Sequence, residues 1–204
     1  MPCEPMTYLL KGTNLISKYS MVLQNSLDAL GRSGVILFPS DTVLGLGCDA
    51  TNQDAVNSIF LIKKRPQNKS LIALVADMEM LKTYVEFVPQ SVQEIIKNNS
   101  LPTTIVYPNA KGVAPMAMAE DGSMAFRIPK SGFALDLVKS FGKPIIATSA
   151  NLSGEPIPEN KSQVDRRILE QVHYVVPLKS DTYPVKPSRI IQLTIDGITK
   201  TIRP

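Results

Sequence analysis

The sequence predicts an α/β protein built on a twisted, open, mixed sheet with flanking helices. Three observations predict it. Apolar runs of strand length alternate with stretches whose apolar residues recur at helical spacing. Several connections are irregular and the chain closes on a hairpin pattern, which argues against an all-parallel sheet. No change in composition marks a linker within the 204 residues. Residues 1–204 are therefore expected to be a single domain, with 1–30 an N-terminal extension and helix.

Ile16, Tyr19, Val22, Leu23, Leu27 and Leu30 share one helical face, and Gly31 is a suitable stop. Val35–Phe38 reads as a buried strand. Pro39–Gly47, with two glycines and a proline, reads as a turn or as backbone that approaches another group closely. Asn52 and Asp54 suit the start of a helix carrying Val56, Ile59, Phe60 and Ile62. Pro66 ends it, because proline disfavours helical geometry at the preceding Arg65. Leu71–Ala76 is a second buried strand. Helices follow at Met78–Val85 and Pro89–Asn98, then a strand at Thr103–Tyr107. Pro108–Ser123 lacks a period and reads as loop. Met124–Ile128 is a strand, Phe133–Phe141 a helix ahead of Gly142, and Pro144–Thr148 a strand. Leu152–Asn160 is loop, Val164–Gln171 helix and Tyr174–Pro177 a short strand. Arg189–Ile195 and Ile198–Arg203 form a hairpin around Asp196-Gly197.

Composition narrows the function classes. Hydrophobic residues are 44% and charged residues 20%, as in ordinary globular proteins. The strongest apolar runs, such as Leu71–Ala76, are too short to span a bilayer, and Tyr8-Leu9-Leu10 is too short for the apolar part of a leader. Cys3 and Cys48 have no mark of a pair, and no Cys/His cluster has zinc spacing. A reducing, cytoplasmic location is the expectation, with no membrane partner. The one histidine, His173, lies outside every motif, so no Ser–His–Asp chemistry is indicated; no P-loop pattern occurs either.

Net charge is +4, but its placement is more informative. Between Ala55 and Ala76 stand Lys63, Lys64, Arg65 and Lys69 with no acidic residue. A local excess of that kind favours an anionic ligand, nucleotide phosphate or RNA; it is equally the pattern of a solvated helix end. Four further segments sit at strand edges: P-S-D-T-V-L-G-L-G at Pro39–Gly47, L-P-T-T at Leu101–Thr104, F-R-I-P at Phe126–Pro129, and T-S-A-N-L-S-G at Thr148–Gly154. P-S-R-I-I at Pro187–Ile191 and the closing I-R-P are weaker companions. Loops at one edge of a sheet can converge on one pocket although distant in sequence.

Together these segments resemble the YrdC-like family, whose best-known members are threonylcarbamoyl-AMP synthases. P-S-D-T-V-L-G-L-G resembles the family's P-T-[DE]-T-V-Y-G-L-G, K-K-R-P-Q-N-K-S-L its K-x-R-P-x-x-[KN]-P-L, and S-A-N-L-S-G its S-A-N-x-S-G. The resemblance runs from about Val35 to Pro204 and suggests the short, single-domain type. It implies a basic concave cavity within the sheet. It also implies that L-threonine, bicarbonate and ATP, with Mg2+ accompanying ATP, give threonylcarbamoyl-AMP and pyrophosphate. The product would pass to tRNA-modification proteins acting on an adenosine beside the anticodon. Two other activities fit the same resemblance: binding of tRNA or double-stranded RNA without synthase chemistry, and carbamoyl-adenylate formation on a different amine.

The resemblance also implies roles. Arg65 and Lys69 are the expected catalytic residues and, with Lys63, Thr104, Ser149, Asn151 and Arg203, the ATP-binding set. Thr42, Arg127 and Ser188 are the expected threonine-binding set, with Asp41 a possible Mg2+ contact. Gly45 and Gly47 are expected to matter for backbone shape. Leu44 stands where the family has tyrosine, and Leu74 where some members carry a polar residue. Both would make the amino-acid end more apolar.

Overall fold

The structure, a computed structural model, describes residues 13–98, 101–177 and 186–204. Its elements are α1 (Thr13–Gly31), β1 (Ile36–Pro39), β2 (Leu44–Gly47), α2 (Gln53–Lys63), β3 (Ile72–Leu74), α3 (Met78–Tyr84), α4 (Gln90–Asn98), β4 (Thr103–Tyr107), β5 (Met124–Arg127), α5 (Phe133–Phe141), β6 (Ile145–Ile146), β7 (Thr148–Ser149), α6 (Arg166–Leu169), β8 (Tyr174–Val175), β9 (Arg189–Leu193) and β10 (Thr199–Arg203). Cys3 lies outside the described residues, and Cys48 is buried and unpaired.

The strands form two mixed sheets, ordered β7-β2-β1-β8 and β10-β9-β4-β5-β3-β6. The segment expected as one strand, Pro144–Thr148, is what joins them. Ile145 and Ile146 pair with Leu74 and Ala73 in the larger sheet. Thr148 and Ser149 pair with Leu46 and Gly45 in the smaller one. Only Ala147 separates the two, and its N–H still donates to Ile72 O at 2.8 Å. Pro39–Gly47 likewise holds more than a turn, because Leu44–Gly47 is a fully buried strand antiparallel to β1. Its glycines serve a close approach. A Cβ at Gly47 would lie 2.7 Å from Ile146 O and 2.7 Å from Phe38 Cε1.

Local signals set the element ends. Asn52 caps α2 by accepting from Ala55 N–H, and Lys64 ends it in the left-handed conformation (φ 48°). The helix thus stops ahead of Pro66, turning Lys63 inward and Lys64 outward. Gly142 (φ 71°) caps α5 as expected. The C-terminal hairpin turns through three residues, Ile195–Gly197, with Thr194 N–H donating to Ile198 O and Gly197 at φ 80°. That is the three-residue loop with a left-handed glycine rather than a two-residue turn. A register shift between Thr201 and Arg203 follows in β10.

Two buried clusters surround the sheets. One gathers Leu44, Leu46, Ile59, Phe60, Val75, Ile105 and Phe126. The other packs Leu30, Phe38, Leu74, Phe133, Leu137 and Ile145 beneath α1 and α5, which Tyr19 ties together by donating to Asp136. His173 is structural: its Nδ1 accepts from Val35 N–H at 3.1 Å.

Candidate functional site

Strand register lines up three of the expected residues. Arg203 pairs with Ile190, and Ile190 with Thr104. The β4–β5 register, continued one residue beyond Ile105–Phe126, sets Thr104 opposite Arg127, which pairs with Leu74. Arg203, Thr104 and Arg127 therefore occupy one rank across neighbouring strands and share a sheet face. The β10 irregularity matters here. An unbroken register would put Ile202 opposite Ile190, so the shift re-aims Arg203 into the rank.

Ser188, buried just ahead of β9, fixes the far end of the rank. Its hydroxyl is 2.7 Å from Thr104 Oγ1, and Arg203 Nε donates to its carbonyl at 2.9 Å. At the near end, Arg127 is 5% exposed and donates through one terminal nitrogen to Thr42 Oγ1 at 2.9 Å. Its other terminal nitrogen is 3.1 Å from Asp41 Oδ1. Thr42 Oγ1 is also 3.0 Å from Ser40 Oγ, which donates to Val43 O at 2.6 Å. Ser40 has a single proton and spends it on Val43, so the Thr42 hydroxyl must be the donor to Ser40. Thr42 is thus occupied in both directions and acts as a brace for Arg127. Ser40 went unnoticed in the sequence, although a serine whose oxygen accepts from the N–H groups of residues 42 and 43 makes a recognisable turn.

The electrostatics of the rank favour an anion. Burial lowers the pKa of Arg127; Asp41 opposes that, and the nearby charge of Arg203 adds to it. Two guanidinium groups close enough to repel, one of them buried, are relieved by negative charge placed between or beside them.

A second cluster lies where β7 runs beside β2. Lys63, 2% exposed at the end of α2, donates to Ser149 O and to Asn151 O, the latter at 2.6 Å. Ser149 Oγ donates to Asn151 Oδ1, and Asn151 Nδ2 to Glu155 O at 2.5 Å. Ala150 N–H is taken by Leu44 O at 3.0 Å and Ser153 N–H by Lys63 O at 2.9 Å. The Thr148–Gly154 loop is therefore pinned from three directions, with the Lys63 ammonium at its centre. Burial first, then the charge of Arg65, lowers the Lys63 pKa to about 7. Arg65 shapes the adjoining loop by donating to Lys69 O at 3.2 Å and Ser70 O at 2.8 Å. Lys64 and Lys69 are exposed.

The Asp41 carboxylate faces the buried guanidinium of Arg127 at 3.1 Å. Among the described residues no group of three or more His, Cys, Asp or Glu is gathered in one place. Leu44 and Leu74 are both fully buried, Leu44 in the first core and Leu74 in the second beside Arg127. A cavity of about 350 Å³ lined by Asn25, Asp28, Arg32, His173 and Tyr174 includes none of the expected residues. No helix among the described residues is long and apolar enough to cross a membrane.

The family model described as "Telomere recombination", covering Sua5, YciO and YrdC, matches residues 28–204. The chain belongs to that family. It is similar to the threonylcarbamoyl-AMP synthase of Vibrio cholerae, 32% identical over 161 residues, or 78% of this chain and 86% of the relative. Among solved structures it resembles P. abyssi Sua5 in complex with L-threonine, with a TM-score of 0.78 and 28% identity over 91% of this chain. This chain spans only 54% of that protein and 56% of a Sua5 variant that superposes with a TM-score of 0.81 at 27% identity. E. coli YciO, at 24% identity and a TM-score of 0.77, shares the fold. The mixed α/β architecture expected from the sequence is thus that of the Sua5/YciO/YrdC family, and the splitting of its sheet at Ala147 is the main refinement.

Proposed function

We propose that the chain is an L-threonylcarbamoyl-AMP synthase. It takes L-threonine, bicarbonate and MgATP and releases pyrophosphate, and its product serves tRNA modification beside the anticodon. One observation carries the reading. The turn ahead of β2 holds Arg127 through Thr42, and β2 itself pairs with Ser149 of the loop that Lys63 pins, so one strand links the rank and the loop. The kinship with synthases and with a threonine-bound Sua5 supports it.

The chemistry asks for positioning more than for a nucleophile. The threonine amine adds to bicarbonate with loss of water, or to CO2 with loss of a proton, and forms a carbamate. A carbamate oxygen attacks the α-phosphorus, the bond to the β-phosphate bridging oxygen breaks, and pyrophosphate leaves with the electron pair. Charge collects on phosphate oxygens, so cations and hydroxyls fixed in advance supply the catalysis. In this reading Arg65 and Lys69 bind the phosphates, Ser149 and Asn151 present the loop to the nucleotide, and Lys63 positions that loop. Arg127 takes the threonine carboxylate, for which a forked guanidinium is suited. Thr42 braces Arg127, while Thr104, Ser188 and Arg203 hold the end of the rank. Mg2+ arrives on the ATP phosphates as part of the substrate. Residues 1–204 act as one domain and need no membrane.

A pyrophosphate-release assay tests this. Release should require ATP, L-threonine and bicarbonate together. ATP turnover indifferent to threonine, or salt-sensitive RNA binding with no turnover, would overturn the proposal.

A further inference from the structure

The loop that Lys63 pins from within is also held from outside, by two residues beyond every motif read from the sequence. Asn151 reaches four residues along the chain, and its Nδ2 donates to Glu155 O at 2.5 Å. The Glu155 carboxylate stands 3.6 Å from a terminal nitrogen of Arg167. That guanidinium is forked onto Asp165, Nε donating to Oδ1 at 2.9 Å and the terminal nitrogen to Oδ2 at 2.5 Å. Asp165 Oδ1 also accepts from Arg167 N–H at 2.8 Å and so caps α6. Beneath this pair Val164 and Ile168 are buried in the first core. Arg167 thus offers Glu155 a charge already fixed in place. A two-point fork is the geometry in which an exposed ion pair keeps its orientation.

The Asn151 carboxamide is what this arrangement orients. Its Oδ1 accepts from Ser149 Oγ and lies 3.5 Å from Lys63 Nζ. Its Nδ2 carries two hydrogens, and Glu155 O takes one. The second remains to donate to a ligand oxygen. Turned end for end, the same side chain would show that ligand a carbonyl oxygen, which repels a phosphate. Glu155 O opposes the turn, because two carbonyl oxygens would then face each other. This works only while Glu155 stays in reach. Glu155 is exposed and follows Gly154. Leu152 O restrains it on one side, accepting from its N–H at 3.0 Å, and the Arg167 contact restrains it on the other.

We propose that Arg167 is a positioning residue for nucleotide binding, acting through Glu155 to hold the Asn151 N–H groups toward the ATP phosphates. This rests on the synthase reading and extends its nucleotide site to α6. Arg167 acts without touching the nucleotide. Both charges of the latch are about half exposed, so its effect is modest; exposed pairs change an equilibrium by factors up to about five.

Calorimetric titration with MgATP tests it on Arg167→Met, Glu155→Gln and the double variant. Each single variant should weaken MgATP binding about threefold, and the double variant no more than either single one. L-threonine binding and the thermal midpoints should stay at their wild-type values. The sign of the Glu155→Gln effect separates the mechanisms. If Arg167 merely attracted phosphate from a distance, removing the Glu155 carboxylate would tighten binding, opposite to the loss at Arg167. Tighter binding in Glu155→Gln overturns the proposal. So do additive losses in the double variant, and so does an equal loss of ATP and threonine affinity with a lowered melting point. If the unmodified protein binds no MgATP, the synthase reading itself fails and this inference with it. MgATP binding and threonine-dependent pyrophosphate release that neither substitution changes remove this inference alone.

Discussion

Gly47→Ala is a sharp test of how the site is built. Gly47 has an ordinary backbone angle, so only space is at stake. The added methyl would sit 2.7 Å from Ile146 O, 2.7 Å from Phe38 Cε1 and 3.2 Å from Ile145 Cγ2. Ile146 O cannot simply retreat, because Ile146 pairs with Ala73 and its N–H donates to Cys48 O at 2.8 Å. Relief must come from β2 moving off the sheet junction. Overpacking of this kind costs about 1–3 kcal/mol, and a clash with backbone belongs at the upper end, about 3 kcal/mol. With a urea slope of about 2 kcal/mol per molar, the unfolding midpoint should fall by roughly 1.5 M. Gly45→Ala is the control. Its methyl would meet Thr148 O at 3.2 Å and Phe38 at 3.6 Å. A shift of a few tenths of an ångström accommodates that, so its cost should stay within about 1 kcal/mol. Because β2 leads out of the Thr42 turn and pairs with Ser149, Gly47→Ala should also weaken both ATP and threonine binding. Equal midpoints for the two variants, or a neutral Gly47→Ala, would refute the packing argument.

Arg65→Ala should reduce turnover more than 100-fold, with the thermal midpoint lowered only slightly; near-normal turnover would remove Arg65 from the phosphate site. The Lys63 ammonium titrates at about 7 in the folded chain against an ordinary 10.5. Between those values the unfolded chain binds the extra proton. The stability of the wild type relative to Lys63→Met should therefore rise with pH across that window, by up to about 1.4 kcal/mol per pH unit, and stay flat below it. Urea unfolding of both proteins at several pH values checks this, and a difference independent of pH would contradict it.

Much of the fold was legible from local pattern. The boundaries expected for Thr103–Tyr107 and Phe133–Phe141 are those observed, because each is framed by strong punctuation, Pro102 and Pro108 for the strand and Gly132 and Gly142 for the helix. What local pattern missed depends on distant partners. Pro144–Thr148 carries the periodicity of one strand, and only the competition of β3 and β2 for its two halves divides it at Ala147. Leu44–Gly47 hides a strand because its glycines make room for Phe38 and for the backbone of β6 and β7. The same holds in the site. The residue types at Arg65, Arg127 and Ser149 pointed to an anion site. Motif spacing does not reveal that Lys63 faces two carbonyls, that Asp41 opposes Arg127, or that a bulge brings Arg203 into line. Those facts come from long-range register and from turns that aim one side chain inward and its neighbour outward.

A threonylcarbamoyl-AMP synthase joins threonine, one carbon from bicarbonate, and AMP. Mass spectrometry of the reaction with 13C-labelled bicarbonate tests for this most directly. A threonylcarbamoyl-AMP ion one mass unit heavier than the unlabelled product should form, and it should be absent when L-threonine is omitted. ATP consumption with no label in any AMP adduct would contradict the proposed activity.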